Sequence, residues 1–378
     1  MTEDKSARYH RLKRRTELLD LGWSAALLVT LVVTGGAALL RDLARGLAGS
    51  HFYLSIAIVA LAIAALHAVV SFPLSIFSGF VLERRYDLSR QSFRAWLTDY
   101  AKSALLAAGL GLPALLLVYY TMAHAPGWWW AISGAIFAFL IVGLANLAPV
   151  LLLPLFFSFT PLRREELRAR LEALARRAGT RIVGVYEWAL GAKTRKANAA
   201  LTGLGATRRI LVSDTMLEQY TDDEIEVVLA HELGHHVYHD IWRALALETA
   251  LILLGFFAAD ITIRALGVQV GLESLTDPAG VPLLVGAAGA VSLVLLPFGL
   301  ALSRRHERRA DRFALDLTSN PGAFVSAMRR LGAQNLAEDR PSRLVEWLFY
   351  SHPPLDERLA AARAWTPGTR HIEDVRPC

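Results

Sequence analysis

Six apolar stretches, at 18–40, 52–80, 103–123, 128–157, 242–267 and 281–302, each reach the length that a helix needs to cross a bilayer. About 20 apolar residues span a hydrocarbon core of roughly 30 Å, and inside it the backbone amides must find their partners within the protein. The pattern therefore predicts a mainly α, polytopic membrane protein. Hydrophobic residues make up 54% of the 378 and charged residues only 20%, which excludes a disordered or collagen-like chain. A single cysteine, Cys378, rules out an internal disulfide.

The first stretch follows a basic segment (Lys5, Arg8, Arg11, Lys13, Arg14, Arg15) resembling the start of a signal peptide, but its apolar run is too long for one and is expected to remain as an anchor. Lys and Arg distribute unevenly between the connections. Six fall in the tail and five in 83–102, against two in 41–51 and none in 124–127 or 268–280. With six spans, every basic-rich segment lies on one side, so both termini are expected in the cytosol. The net charge of +6 is then a topology signal, and no nucleic-acid partner is expected. The bilayer is the expected surrounding.

The chain divides into a cytosolic basic tail (1–17), a four-span region (18–157), a polar region (158–241), a two-span hairpin (242–302) and a second polar region (303–378). The two polar regions are expected to fold together on the cytosolic face. Leu167, Leu171 and Leu174 have helical spacing within 163–178. Two β-type runs follow at 182–188 and 209–212. Trp128, Trp129 and Trp130 open the fourth span, where an interfacial aromatic belt is expected. Within the spans, Asp260 and Arg264 are spaced for an ion pair, while His67 and Asn146 either line a watery chamber or bond helix to helix. Pro73, Pro113, Pro149 and Pro154 are expected to kink their spans.

Thr221 to Glu224 has the form of a capping box, and the helix it opens carries His231–Glu232–Leu233–Gly234–His235. Residues four apart on a helix differ by about 40° in direction, so both imidazoles face one point and can bind one Zn²⁺, leaving Glu232 free as a general base. A third ligand is needed. Tyr238 and Ile241 stand where a ligand-bearing extension of the same motif would have Gly and His. Ser303 to Asp311 offers Glu307, with Asp311 one turn later to orient a ligand imidazole. Alone, that stretch reads first as a basic juxtamembrane helix with its own i,i+4 ion pairs, and the two histidines upstream reverse that preference. His236, His239 and His306 point in other helical directions and are not expected to ligate.

These motifs, together with Phe80–Glu83, Asn198–Ala199, Arg209–Leu217 and Ser351–Arg358, resemble the integral-membrane zinc proteases that include the type I CAAX prenyl endopeptidases and bacterial HtpX, over about Phe72 to Arg358. The resemblance implies a gluzincin-type protease domain with a small β-sheet and one Zn²⁺ per chain held by His231, His235 and Glu307. It implies Glu232 as the base, Asp311 as a partner of a ligand, and His352 and Arg358 near the oxyanion. Asn198 and Ala199 are implied to lie on an edge strand that pairs with an extended polypeptide substrate, lipidated by a prenyl group or not. The chain departs from eukaryotic members in having one span fewer ahead of Phe80–Glu83, Lys196–Ala197 in place of a small polar pair, and Ala200 in place of an aromatic. The bias toward Arg over Lys points to a bacterial inner membrane with a cytosolic site, or to the endoplasmic reticulum in a eukaryote. Competing readings are a quality-control protease without prenyl specificity, a site-2-type intramembrane protease, and a scaffold or transporter with structural zinc.

Overall fold

The structure, a computed structural model, describes residues 5–203 and 207–368; Cys378 lies outside them. Among the described residues, six helices are long and apolar enough to cross a membrane. The first, α1 (Lys5–Val33), already begins in the expected tail and stops at Gly35, whose φ of +74° only glycine adopts without strain. The expected span at 18–40 is thus shifted, and its end belongs to a separate short helix, α2 (Gly36–Ala48). Hydropathy misses this because α1 continues as a helix through polar residues that protein, rather than lipid, covers. α3 (Phe52–Ile76), a π turn (Phe77–Val81) and α4 (Leu82–Arg85) form the second span, extending past the expected end at residue 80.

α5 (Phe93–His124) and α6 (Trp129–Leu147) complete the first four. The span expected at 128–157 ends at Leu147 and passes into a π turn (Ala148–Leu152) and a 3₁₀ turn (Leu153–Leu155). Prolines at 149 and 154 lack the amide that continued α-helix would require. Phe139, Leu105 and Val294 project outward from their helices, an apolar surface suited to lipid rather than water.

The polar regions build β1 (Phe159–Pro161), α7 (Glu165–Arg177), β2 (Gly184–Trp188), β3 (Ala199–Thr202), β4 (Arg209–Ser213), α8 (Asp214–Gln219) and α9 (Asp222–Val237). The spans α10 (Asp240–Leu266) and α11 (Val281–Thr318) follow, then α12 (Pro321–Gln334), α13 (Arg343–Phe349) and α14 (Leu355–Ala364). The sheet order is β1-β2-β4-β3, with β2 and β4 parallel and β3 antiparallel to β4 at the edge. Both β-type runs read from the sequence are strands, and they are neighbours. Leu167, Leu171 and Leu174 are buried as their spacing requires, in one core with Ile210, Leu233 and Phe324. The regions before and after the two-span hairpin therefore share that core.

Polar groups inside the bundle are paired. Arg264 Nε donates to both oxygens of Asp260 at 2.8 and 2.9 Å, and Trp129 Nε1 donates to Asp260 Oδ1 at 2.6 Å. Trp129 is consequently fully buried, not a member of an interfacial belt, whereas Trp128 is exposed. Of the two chamber candidates, His67 bonds between helices, with Ser24 Oγ 2.8 Å from its Nε2; Asn146 donates back to Val142 O on its own helix.

α10 runs for 27 residues, about 40 Å at 1.5 Å per residue, and α11 returns, so the 267–280 connection lies at the far end of the bundle. There Arg41 of α2 donates to Asp277 Oδ2 at 2.8 Å, and Tyr119 of α5 donates to the Asp277 carbonyl at 3.1 Å. Both charged side chains are buried, so Arg41→Ala leaves a carboxylate without its cation and should cost about 3–5 kcal/mol. A lowered unfolding temperature in detergent, with the Arg41→Ala/Asp277→Ala pair costing less than the sum of the singles, is the expected result.

Candidate metal centre

α9 is fixed at its start before it reaches the site. The Thr221 hydroxyl accepts from Glu224 N at 3.3 Å while Glu224 Oε2 accepts from Thr221 N at 2.8 Å, closing the expected capping box. Glu224 Oε1 accepts from Ser326 Oγ of α12 at 2.6 Å, tying the helix to the domain core. Ile225, Leu229 and Leu233 bury one face of α9. Gly234 lies against α11: a Cβ there would stand 3.1 Å from Ala310 Cα and 3.2 Å from Phe313 Cδ1. The two helices approach almost backbone to backbone, which brings the carboxylate of α11 to the histidines of α9.

Three ligand-type atoms converge. His231 Nε2 and His235 Nε2 are 3.2 Å apart, with Glu307 Oε2 3.3 Å from the first and Oε1 3.2 Å from the second. The imidazole planes are nearly perpendicular, at 89°. Glu307 Oε2 is buried and accepts no hydrogen bond from the protein. Nδ1 of each imidazole faces a carboxylate outside this cluster, so Nε2 of each is turned to the centre, where a cation would be well placed. A two-imidazole, one-carboxylate set with no thiolate fits a catalytic zinc ion. Burial lowers the basicity of His235, but hydrogen bonds to Asp240 and Glu307 outweigh it and push the imidazole up to about 10. The surroundings thus favour positive charge at this point.

Each imidazole is held from behind. Asp311 Oδ1 lies 2.8 Å from His231 Nδ1, and Arg358 of α14 grips Asp311 with two hydrogen bonds of 2.8 and 2.6 Å. His235 Nδ1 donates to Asp240 Oδ2 at 3.0 Å, and Asp240 is itself bonded by Arg309 of α11. The motif reading missed Asp240. After α9 the chain reverses through His239, in the left-handed region at φ +58°, so Asp240 turns back toward His235 and opens α10. Helical periodicity does not carry across such a reversal; an acid five residues after the second histidine was the available signal.

Glu232 lines a cavity of about 390 Å³ together with His231, Glu307, Asn198, Ala199 and His352. Burial raises its carboxyl above the ordinary value, with His231 and His235 drawing it back. His352 Nε2 is 3.4 Å from Glu307 Oε1. Asn198 exchanges hydrogen bonds with Ser213, its N donating to Ser213 Oγ at 3.0 Å and its O accepting from Ser213 N at 2.9 Å, which sets Ala199 at the start of the edge strand. All nine residues singled out in the sequence lie at or beside this cavity, although Arg358 is occupied by Asp311.

Two family models match successive parts of the chain. Peptidase family M48 matches residues 161–366, and the CAAX prenyl protease N-terminal model, described by five membrane helices, matches residues 2–158. Within that second region the described residues carry four candidate spans and the short α2. An uncharacterized metalloprotease, YhfN, of Bacillus subtilis is 30% identical over 78% of this chain and 70% of its own. CAAX prenyl protease 1 of Saccharomyces cerevisiae is 31% identical over 79% and 70%. The crystal structure of Ste24p from S. mikatae superposes with a TM-score of 0.84 at 25% identity, covering 95% of this chain and 88% of that one.

Asp240 offers a direct test of the centre. Residues that orient a ligand imidazole typically contribute 10–100-fold to metal affinity, so Asp240→Ala should weaken zinc binding by about that factor. Zinc titration against a competing chelator measures it, and an affinity equal to wild type would remove Asp240 from the site.

Proposed function

The chain belongs to peptidase family M48, as a membrane metalloprotease of the CAAX prenyl protease type, and from that premise we propose that it hydrolyses membrane-associated polypeptides, prenylated CAAX tails among them, at a zinc site built from His231, His235 and Glu307. One observation carries the proposal: His231, Glu307, Glu232, Asn198 and Ala199 line the same cavity, with His235 converging on Glu307 beside it. Zinc held there would polarise the scissile carbonyl and acidify a water.

The remaining work falls to the chain itself. An extended substrate adds to the edge of the sheet at Asn198 and Ala199, its backbone bonding to β3, which sets the scissile bond beside Glu232. The Glu232 carboxylate takes a proton from the attacking water and delivers it to the leaving amine. Its burial raises its proton affinity, which favours accepting that proton. His352, which lines the cavity with its Nε2 3.4 Å from Glu307 Oε1, would stabilise the negative charge that develops on the carbonyl oxygen. Arg358 acts by fixing Asp311, and Asp311 and Asp240 fix the two imidazoles.

Residues 158–241 and 303–378 then form two halves of one protease part, interrupted by the 242–302 hairpin. The Lys and Arg excess of the connections supports a cytosolic side for this part, and the bias toward Arg over Lys supports a bacterial inner membrane. α9, which carries both histidines, is not one of the six candidate spans, which argues against a site-2-type arrangement.

Glu232→Gln should retain zinc and lose peptide hydrolysis by about 10³-fold or more, the scale of a lost general base together with the charge it develops. The assay is cleavage of a farnesylated CAAX peptide in detergent, with and without chelator, beside an unlipidated membrane-protein substrate. Turnover in Glu232→Gln, or turnover by wild type stripped of metal, would sink the mechanism. Cleavage of the unlipidated substrate alone would make this a quality-control protease without prenyl specificity.

A further inference from the structure

Glu83 lies in α4, the last turn of the second span, two residues after the π turn and far in sequence from both the histidines and the sheet. Its two carboxylate oxygens are held by different parts of the molecule. Oε1 accepts from Tyr9 OH of α1 at 2.5 Å, and Oε2 pairs with Lys196 Nζ at 2.9 Å. Lys196 lies three residues before Ala199, where the edge strand begins. The Glu83 side chain is only 14% exposed and rests on a small separate cluster of Tyr9, Leu82, Tyr86 and Leu88.

The chain on either side of this contact is matched to it. The backbone after α4 turns sharply, with Leu88 N donating to Glu83 O at 2.8 Å, and then lies antiparallel to the segment before β3. Arg195 N donates to Leu88 O at 3.0 Å and Arg90 N donates to Lys193 O at 2.9 Å, flanking a bridge between Ser89 and Thr194. Farther along, Gln334 Nε2 at the end of α12 donates to Arg195 O at 2.6 Å. The approach to the edge strand is thereby suspended between the membrane spans and the protease core, and Glu83 is its charged anchor on the membrane side.

We propose that Glu83 is a positioning residue for substrate binding: through Lys196 it fixes the 193–198 segment, and so the edge at which β3 meets an extended polypeptide. A π turn suits this role. Its extra residue rotates the following side chain by about one helical step, which directs Glu83 toward α1 and Lys196 rather than lipid. The inference rests on the reading of β3 as the substrate-binding edge.

The test compares full-length wild type with Glu83→Gln, Lys196→Met and the double variant, all purified in detergent. Amide hydrogen exchange at 195–202 should quicken in each single variant, with α9 unchanged, and the double should be no faster than the singles because the same pair is broken. For a farnesylated CAAX peptide, KM should rise about tenfold, equivalent to about 1.4 kcal/mol, while kcat changes by less than about twofold. Exchange at 195–202 equal to wild type, or effects of the two substitutions that simply add, overturns the proposal. Should Glu83→Gln fail to fold, Lys196→Met breaks the same contact from its more exposed side. A wild type that cleaves nothing defeats the protease reading, and the exchange data still decide the role of Glu83.

Discussion

The closeness of α9 and α11 governs the rest of the site. Gly234 on one helix and Ala310 on the other leave no room for a larger contact, and Glu307 and Asp311 flank Ala310 on the face turned toward His231 and His235. Bringing so many ionisable groups together is costly, since each buried ion loses several kcal/mol of hydration. The molecule offsets that cost by pairing. Asp311 is matched by Arg358, Asp240 by Arg309, and the convergent imidazoles and Glu307 by the cation their geometry suits. Each pairing partner comes from a different helix, so the packing of α9, α10, α11 and α14 and the shape of the centre are one problem.

Much of this was written in local patterns. The four-residue spacing of His231 and His235, the capping box at Thr221 and the Glu307–Asp311 repeat are all relations within a single helix, which periodicity reports directly. Span number and the strands β2 and β4 were legible for the same reason. What stayed hidden depended on contacts between elements. Asp240 becomes a partner of His235 only because His239 adopts a left-handed conformation, and Trp129 leaves the interface only because Asp260 faces it from another span. The start of α1 was missed because hydropathy measures affinity for lipid, and Tyr9 and Arg14 are covered instead by Glu83, Glu338 and Tyr350.

The bilayer and the chemistry are joined without intervening loops. α10 begins at the residue that orients His235, and α11 carries its apolar span straight into Glu307 and Asp311. At the opposite end of the same hairpin, Asp277 is clasped by Arg41. The spans therefore do more than tether a protease to its membrane: two of them supply one wall of the centre.

The order of these pieces along the chain restricts how such an enzyme could be divided. His231 and His235 precede the hairpin and Glu307 follows it, so every contiguous fragment holding all three converging residues also holds α10 and the apolar part of α11. A water-soluble catalytic fragment cannot be cut from this sequence by trimming its ends. Gene fusion or exchange that moves the protease part as a block must move two membrane spans with it, and any soluble version would have to replace the hairpin by a designed connection between His239 and Ser303.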